Sequence, residues 1–271
     1  MTTYLDRILA AHRASAAADR RSLEKLVEQA RSCPPTRGFA AAIDDRPEGE
    51  LAVIAEVKRR SPSKGDLATD LDPAEVGASY AAGGASCLSV LTDHAWFGGS
   101  PEDLQSARAA SGLPVLRKDF TVDARDVCDA RLMGADAVLL IAVALDDPEL
   151  RDFAALAVDL GMDALVEVHD EAELERALGF GAALVGVNQR DLLTFEVDTA
   201  RAKRVAAAIP SGVRSVAESG ISGPEDAADL AAAGYDAVLV GESVVMAEDR
   251  QAAVAALRLA SFGRLPVPDG E

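Results

Sequence analysis

Short apolar runs alternate with helix-like segments through most of the chain. The runs cover residues 51–57, 87–91, 115–117, 137–141, 164–168, 184–188, 215–217 and 237–240. Segments with helical spacing follow them, near residues 73–82, 101–110, 123–133, 148–160, 171–178, 199–208, 224–233 and 250–260. Such runs are typical of parallel strands that helices cover on both faces, because neither face of the strand then meets water.

Eight strand–helix units with short connections predict an α/β fold, namely a single-domain (β/α)8 TIM barrel. Every second run follows a glycine in a weak repeat, GGASCLSVL, GADAVLL, GAALVGV and GYDAVLV, and glycine is common where a helix ends. An open doubly wound sheet is the alternative, and it usually carries a glycine-rich turn after its first strand. The first run here continues instead into the charged sequence EVKRR, which favours the barrel.

A helix-like segment precedes the first apolar run. Residues 3–31 carry a sparse apolar stripe, and Pro34 and Pro35 end the segment. Residues 38–50, which include Pro47 and Gly49, form a connector. We therefore expect an N-terminal helical extension over residues 1–50 that packs on the barrel, the barrel itself over residues 51–260, and a loose C-terminal tail over residues 261–271.

The charge of the chain narrows the choice of partners. Its 271 residues include 27 Lys and Arg against 45 Asp and Glu, a net charge of −18. This charge repels nucleic acid and anionic membranes, so any cationic contact to an anionic substrate must be local. The N-terminus lacks a signal-peptide core, no apolar stretch reaches the length of a membrane span, and three sparse cysteines favour a reducing compartment. We expect a cytoplasmic protein.

Polar residues occupy the carboxyl ends of the predicted strands, where the active site of a barrel lies. The odd-numbered strands end in five charged residues that share the parity of core-facing neighbours: Glu56, Lys58, Lys118, Glu167 and Glu218. Strand six ends in Asn188, and Arg190 follows it. A single charge at such a position is often only one half of a structural ion pair, but five at matching positions indicate a functional site.

Two glycine turns follow the last two strands. Ser219 and Gly220 begin the turn after strand seven, and Gly241 and Ser243 flank Glu242 after strand eight. Loops in this position, together with a short helix N-terminus, form a recurrent phosphate site of barrels. Each turn is a weak signal alone, and the pair predicts a phosphorylated ligand.

The chain resembles the indole-3-glycerol phosphate synthases of tryptophan biosynthesis, members of the ribulose-phosphate binding barrels. The matching segments span about residues 51–246 in family order and read IAEVKRRSPSKG, SVLTDHAWFGGS, PVLRKDF, GADAVLLIA, ALVEVHDEAEL, VGVNQRDLLTFEVD, VAESGI and AVLVGES. The first and third are the most specific. Gln189 and the sequence His94-Ala95-Trp96 depart from the family pattern, which affects loop detail and substrate affinity rather than the reaction.

The resemblance implies a cofactor-free carboxy-lyase that closes an indole ring. The substrate, 1-(2-carboxyphenylamino)-1-deoxyribulose 5-phosphate, loses CO2 and water. By this resemblance Lys118 is the general acid at the ketone oxygen, Glu167 is the acid/base of the dehydration, and Lys58 holds anionic groups and can share proton donation. Glu56 sets the charge state of the lysines. The remaining polar residues should orient the substrate: Asn188, Glu218 and Ser219.

Further residues are expected to bind the substrate without chemistry. The apolar sleeve for the aromatic ring comprises Phe97, Phe120, Leu139, Leu192 and Leu239, although each leucine could equally be plain core. The candidates for anion contacts are Ser61, Arg190, Gly220, Gly241 and Ser243. We expect no metal site, because the three histidines, His12, His94 and His169, are interpreted as surface residues that do not cluster with cysteine.

Two other functions remain open from the residues. One is another phosphate-binding barrel enzyme, such as the isomerase one step earlier in the pathway, which is expected to place a Cys after strand one and an Asp after strand six. Glu56, Lys58 and Asn188 at these positions count against it. The other is a barrel that binds a phosphorylated metabolite without catalysis. The sequence predicts a monomer or weak homodimer.

Overall fold

The centre of the molecule is a closed barrel of eight parallel strands, which confirms the predicted fold. The computed structural model describes residues 3–62 and 64–258. The barrel strands are β1 (Ala52–Val57), β2 (Cys87–Leu91), β3 (Val115–Lys118), β4 (Ala137–Ile141), β5 (Asp163–Val168), β6 (Leu184–Asn188), β7 (Arg214–Glu218) and β8 (Ala237–Val240). Each strand pairs with the next, and β8 pairs with β1, so that no strand edge is left open.

Helices surround the strands and cover their outer faces. The helices of the barrel are α4 (Pro73–Ala82), α5 (His94–Phe97), α6 (Pro101–Ser111), α7 (Ala124–Leu132), α8 (Asp147–Asp159), α9 (Glu171–Gly179), α10 (Thr199–Ala206), α11 (Pro224–Ala232), α12 (Glu242–Val245) and α13 (Arg250–Arg258), with a 3-10 turn at Ala142–Ala144. Proline stands in the first turn of α4, α6, α8 and α11, where its missing N–H leaves no hydrogen bond unmade.

The segment before the barrel differs from the prediction. Instead of one helix-like stretch it forms α1 (Tyr4–Ala18) and α2 (Leu23–Arg31), because Ser22 caps a new helix by accepting a hydrogen bond from the Lys25 amide. The predicted connector contains α3 (Phe39–Asp44), whose Phe39 and Ile43 are buried. The predicted tail over residues 261–271, and the last two residues of the predicted barrel, lie outside the described residues.

The third and seventh apolar runs stop at Arg117 and Ala217, but the strands continue to Lys118 and Glu218, as predicted. These two residues pair with β2 and β6 through the backbone, because a charged side chain does not break that pairing. The predicted loop after β1 forms a small antiparallel ribbon of Arg60–Ser61 with Gly65–Asp66. None of the described helices is long and apolar enough to span a bilayer.

The barrel interior changes character along its axis. Ile54, Leu116, Leu165 and Val216 are fully buried apolar residues in the middle of the odd strands. Two positions further along, alternation brings Glu56, Lys118, Glu167 and Glu218 to the same interior face. The carboxyl end of the barrel is therefore lined by ionic groups above an apolar floor.

Candidate active site

A cavity of about 520 Å³ opens at the carboxyl ends of the barrel strands. Every residue that the sequence singled out for catalysis or substrate binding lines it, including those contributed by loops. All eight barrel strands or the loops that follow them contribute to the wall, so closure of the barrel is what brings these residues together. A cavity of this volume suits a small organic ligand.

Lys118 lies at the centre of the charged cluster. Its Nζ is 3.2 Å from Oε2 of Glu167 and 3.9 Å from a carboxylate oxygen of Glu218. Asn188 donates a hydrogen bond of 3.1 Å from Nδ2 to Oε1 of Glu167. Strands β3, β5, β6 and β7 thus converge on one partly buried ammonium group and two deeply buried carboxylates.

A second ion pair lies beside the first. Lys58 donates to Oε1 of Glu56 over 2.5 Å, and Ser89 donates to the other carboxylate oxygen over 3.3 Å. Lys58 comes directly after β1, and its side chain is 17% exposed toward the cavity. The pair therefore offers an ammonium that a ligand can reach while its partner stays buried.

The charges control one another's pKa values. Burial alone would lower the pKa of Lys118, but Glu167, Glu218 and Glu56 outweigh burial and raise it. Burial likewise opposes ionisation of Glu56, yet Lys58 and Lys118 lower its pKa. The negative charge around Lys118 therefore keeps its ammonium protonated. Cations that stay charged in a buried site are suited to holding anionic substrate groups.

Glu167 and Glu218 both lie beside Lys118, and their pKa values are shifted in opposite directions. Burial opposes ionisation of Glu167, but Lys118 and then His169 lower its pKa. The pKa of Glu218 is raised well above the usual value, by burial first and then by the charge of Glu167. Two neighbouring carboxyl groups with opposite shifts form a pair in which one ionises and the other keeps a proton.

Two glycines make room for these carboxylates, a role that was predicted for neither of them, since Gly241 was named only as a candidate for anion contacts. A Cβ on Gly186 would lie 2.0 Å from Oε1 of Glu218. A Cβ on Gly241 would lie 2.5 Å from Oε1 of Glu56 and 3.0 Å from Nζ of Lys58. Gly186 sits within an apolar run, where pattern alone shows only a small strand residue.

The two glycine turns lie side by side across the cavity from β3. Ser219 and Gly220 adopt consecutive left-handed conformations, with φ of 66° and 70°. Gln189 donates from Nε2 to the carbonyl of Ser219 over 2.8 Å, and Ser243 donates to the carbonyl of Ile221 over 2.9 Å. Gln189, a departure from the family pattern, thus fixes the turn. Non-glycine residues keep φ above zero only where their surroundings hold them there.

An apolar wall faces the charges. It contains the predicted residues Phe97, Phe120, Leu139, Leu192 and Leu239, all of which line the cavity. The sequence missed further wall residues, chief among them Tyr4, Leu5 and Ile8 of α1 and Phe195 after β6. The Tyr4 ring meets those of Trp96 and Phe195 at centroid distances of 5.1 and 5.4 Å. The helical extension was predicted to pack on the barrel, but a general helical stripe does not indicate which of its residues will line a cavity, so these α1 side chains were missed.

The histidines were only partly interpreted correctly. His94 is exposed, but His12 and His169 are partly buried, so their interpretation as surface residues was wrong. His12 contacts Asp93 at 2.8 Å and lies 4.0 Å from Asp119. These three form the one group in the described part of the chain with clustered metal-ligating atoms. Thr92 and Arg117 already donate to Asp119, and the positive charge of Arg117 opposes the binding of a metal ion. The group is better explained as a set of polar contacts that joins His12 of α1 to the loops after β2 and β3.

Comparison with known proteins agrees with this geometry. The model of the family described as indole-3-glycerol phosphate synthase matches residues 5–257. The enzyme of that name from Bordetella pertussis is 48% identical over 252 residues, covering 92% of this chain and 96% of its own. The one from Mycolicibacterium smegmatis is 49% identical over 257 residues, covering 94% and 93%.

A solved structure supports the fold alone. Thiamine phosphate pyrophosphorylase from Pyrococcus furiosus superposes with a TM-score of 0.59 at 18% identity, covering 78% of this chain and 95% of its own. The family match spans the barrel, the loops at its mouth and α1 from Leu5 onward, so it includes every residue of the cavity described above except Tyr4. The chain belongs to the indole-3-glycerol phosphate synthase family.

Proposed function

We propose that this carboxy-lyase of tryptophan biosynthesis uses the charged cluster at the barrel mouth as its catalytic machinery. It converts 1-(2-carboxyphenylamino)-1-deoxyribulose 5-phosphate to indole-3-glycerol phosphate. Ring closure, decarboxylation and dehydration follow one another on a single bound molecule. The observation that supports this assignment most strongly is Lys118, held between Glu167 and Glu218 inside a cavity with an apolar wall.

Lys118 is the general acid for ring closure in this proposal. Its raised pKa keeps the ammonium loaded with a proton. As the aryl carbon attacks the ketone, negative charge develops on the ketone oxygen, and the ammonium neutralises it by donating that proton. The partial burial of Lys118 strengthens this interaction, since little water competes for it.

Glu167 is the acid/base of the dehydration. Its two oxygens are oriented by different partners, Oε1 by the amide of Asn188 and Oε2 by Lys118. A carboxylate held in one direction exchanges protons with a substrate group at a fixed place. Glu218 lines the cavity, and its Oε2 lies 3.9 Å from Nζ of Lys118, so its carboxyl group is placed to orient a substrate hydroxyl or amine beside the general acid.

Lys58 binds the carboxylate that departs as CO2, and it can share in proton donation. Its ammonium reaches the cavity while Glu56 holds it from behind at 2.5 Å. Ser219 contributes to orienting the substrate from the opposite side. Loss of CO2 leaves the ring electrons to restore aromaticity, so the protein needs only to fix the geometry and supply charge.

The phosphate group lies at the paired glycine turns. Ser61, Arg190, Gly220, Gly241 and Ser243 surround that end of the cavity, and the backbone amides of the two turns are the expected donors. Lys64 lies 3.3 Å from Glu242, so the acidic side chain near this site is partly neutralised. The aromatic ring then lies against the wall formed by Phe97, Phe120, Leu139, Leu192 and Leu239.

The surroundings of the enzyme follow from its charge and chemistry. The family acts on a small phosphorylated molecule, and a net charge of −18 gives no reason to expect a nucleic-acid or membrane partner. We propose a cytoplasmic monomer or weak homodimer. The proposed domain boundaries place the helical extension at residues 1–50 and the barrel at residues 51–260.

A fluorescence assay tests the proposed function. Mixing the purified protein with the substrate should produce indole fluorescence, at the same rate with and without a metal chelator, because the reaction needs only positioned protein groups. No signal, combined with calorimetry that shows tight product binding, would support the alternative of a non-catalytic barrel.

A further inference from the structure

A second cavity, of about 300 Å³, lies beside the candidate active site. Leu5 and Leu192 line both cavities and form part of the wall between them. The second cavity has a more polar lining than the first. Its charged and titratable lining consists of His169, Asp170, Glu171, Glu173, Asp191, Arg201 and Arg204.

His169 connects the two cavities. It follows β5 two residues after Glu167, so strand alternation directs both side chains to the same face. Its Nε2 lies 3.7 Å from Oε1 of Glu167, and its Nδ1 lies 3.0 Å from Oε2 of Glu173. This Nε2 is buried and has no hydrogen-bond partner within the described residues. A buried, unpartnered ring nitrogen aimed at an active-site carboxylate needs an explanation beyond packing.

The reaction creates a need for such a group. The substrate carboxylate leaves as CO2 without a proton, the ketone oxygen takes up two protons before it leaves as water, and one proton is lost from the carbon beside the nitrogen. Each turnover therefore takes up one proton from solvent. Residues of α1 line the main cavity, and a substrate that fills this cavity would displace the water beside Lys118, so a separate route for that proton is useful.

We propose that His169 is a positioning residue that passes protons from the second cavity to Glu167, and through Glu167 to Lys118. The N–H bond at Nε2 breaks, an O–H bond forms at Oε1 of Glu167, and the imidazolium becomes imidazole. The carboxyl group of Glu167 then rotates to bring this O–H to the deprotonated amine of Lys118, which lies 3.2 Å from Oε2, and there the O–H bond breaks and an N–H bond forms at Nζ. The imidazole then carries a proton only at Nδ1, so rotation of the ring turns Nε2 toward the second cavity, where Nε2 regains its proton from solvent and no group is consumed.

The charges around His169 suit this transfer. Glu167 faces it from β5, Glu173 from α9 and Arg201 from α10. Burial and Arg201 oppose its protonation, but the bond to Glu173 and the charge of Glu167 raise its pKa above 6.5. The imidazole therefore carries a proton for part of the time near neutral pH. Proton delivery should weaken as pH rises through this pKa, because the imidazolium is then depleted.

This inference depends on the proposed role of Glu167, and one set of variants separates the two. In His169→Ala we expect kcat to fall about 10²-fold, the low end for a group that transfers protons. The wild-type decrease of kcat as pH rises above 6.5 should disappear in the variant. Added imidazole, which fits the second cavity, should restore part of kcat. Lys203→Ala is the control, because Lys203 is exposed and outside both cavities.

A second variant distinguishes loss of proton transfer from loss of the folded structure. His169→Asn keeps a donor for Glu173 near the position of Nδ1 but has no atom at Nε2, so it should lose kcat and the pH dependence while remaining folded. Wild-type kcat and pH profile in His169→Asn, a pH dependence that persists in His169→Ala, or no response of His169→Ala to imidazole would each overturn the relay. Wild-type turnover in Glu167→Gln would instead remove the proposed role of Glu167.

Discussion

Gly186 on β6 lies directly against the carboxylate of Glu218, and a Cβ there would also lie 3.3 Å from Leu165. The carboxylate is buried at the end of β7, and the missing side chain at position 186 is what leaves space for it. Gly241 gives the same clearance to Glu56 and Lys58. These two glycines therefore position the ionic groups by leaving space for them, in addition to the hydrogen bonds that hold them.

Gly186→Ala is predicted to reduce activity more than stability. The added methyl group displaces the end of the Glu218 side chain, which can move into the cavity at little cost, and misplacement of a reacting group by about 1 Å can lower turnover about 10²-fold. Turnover and thermal unfolding of the variant check this. Gly179→Ala, where no atom lies within 4 Å of the new Cβ, is the control. Wild-type turnover in Gly186→Ala would contradict the prediction.

Single charges were the most predictable part of the site. Glu56, Lys58, Lys118, Glu167 and Glu218 were located by one rule, that polar residues which end buried strands share the mouth of a barrel. Gly186 and Asp119 carried no such signal, since a glycine in an apolar run and an acid in a loop each have many ordinary explanations. Their place became evident only when neighbouring strands were assembled.

At the scale of elements, α1 covers the mouth of the barrel. Leu5 and Ile8 are buried against it. Arg13 forms a 2.7 Å ion pair with Glu149 of α8, and His12 contacts Asp93 just before α5. Apolar packing and polar contacts therefore both hold this helix over the cavity.

The docking of α1 is predicted to weaken as pH rises above 6.5. Burial lowers the pKa of His12, but the hydrogen bond with Asp93 and the charges of Asp119, Asp93 and Asp126 outweigh burial and raise it. A raised folded-state pKa means that the stabilisation is complete below the unfolded value of 6.5 and is lost as pH rises through the folded value.

Trp96 is the only tryptophan and touches Tyr4 of α1, so its fluorescence monitors this docking. The emission should change with pH in the wild type over that window and be constant in His12→Gln. An identical pH response in both proteins would show that His12 does not hold the helix.

Elements were predicted well in kind and less well in extent. The apolar runs identified every barrel strand because strands buried on both faces are apolar throughout. The break between α1 and α2 was missed, since Ser22 looks like any polar residue until its side chain is seen to cap a helix. The ribbon of Arg60–Ser61 and Gly65–Asp66 is too short to produce a pattern.

At the scale of the whole molecule, barrel closure joins residues that are far apart in sequence. Lys118, Glu167 and Glu218 come from β3, β5 and β7, and each of these strands pairs with neighbours that fix its height in the barrel. The net charge of −18 is distributed over the molecule, whereas the cations that meet an anionic substrate are confined to the mouth. The net charge of the whole molecule therefore indicates only which classes of partner to exclude. The arrangement of charged side chains at the barrel mouth is what indicates the substrate.

The most direct test of the central claim is the turnover of Lys118→Ala, measured by indole fluorescence beside Lys203→Ala. Lys203 is an exposed lysine on α10 that pairs with Asp229, so its variant should match the wild type. We predict that kcat of Lys118→Ala is lower by roughly 10²–10⁴, the usual contribution of a positioned acid. Turnover of Lys118→Ala close to that of Lys203→Ala would contradict a mechanism centred on the charged cluster.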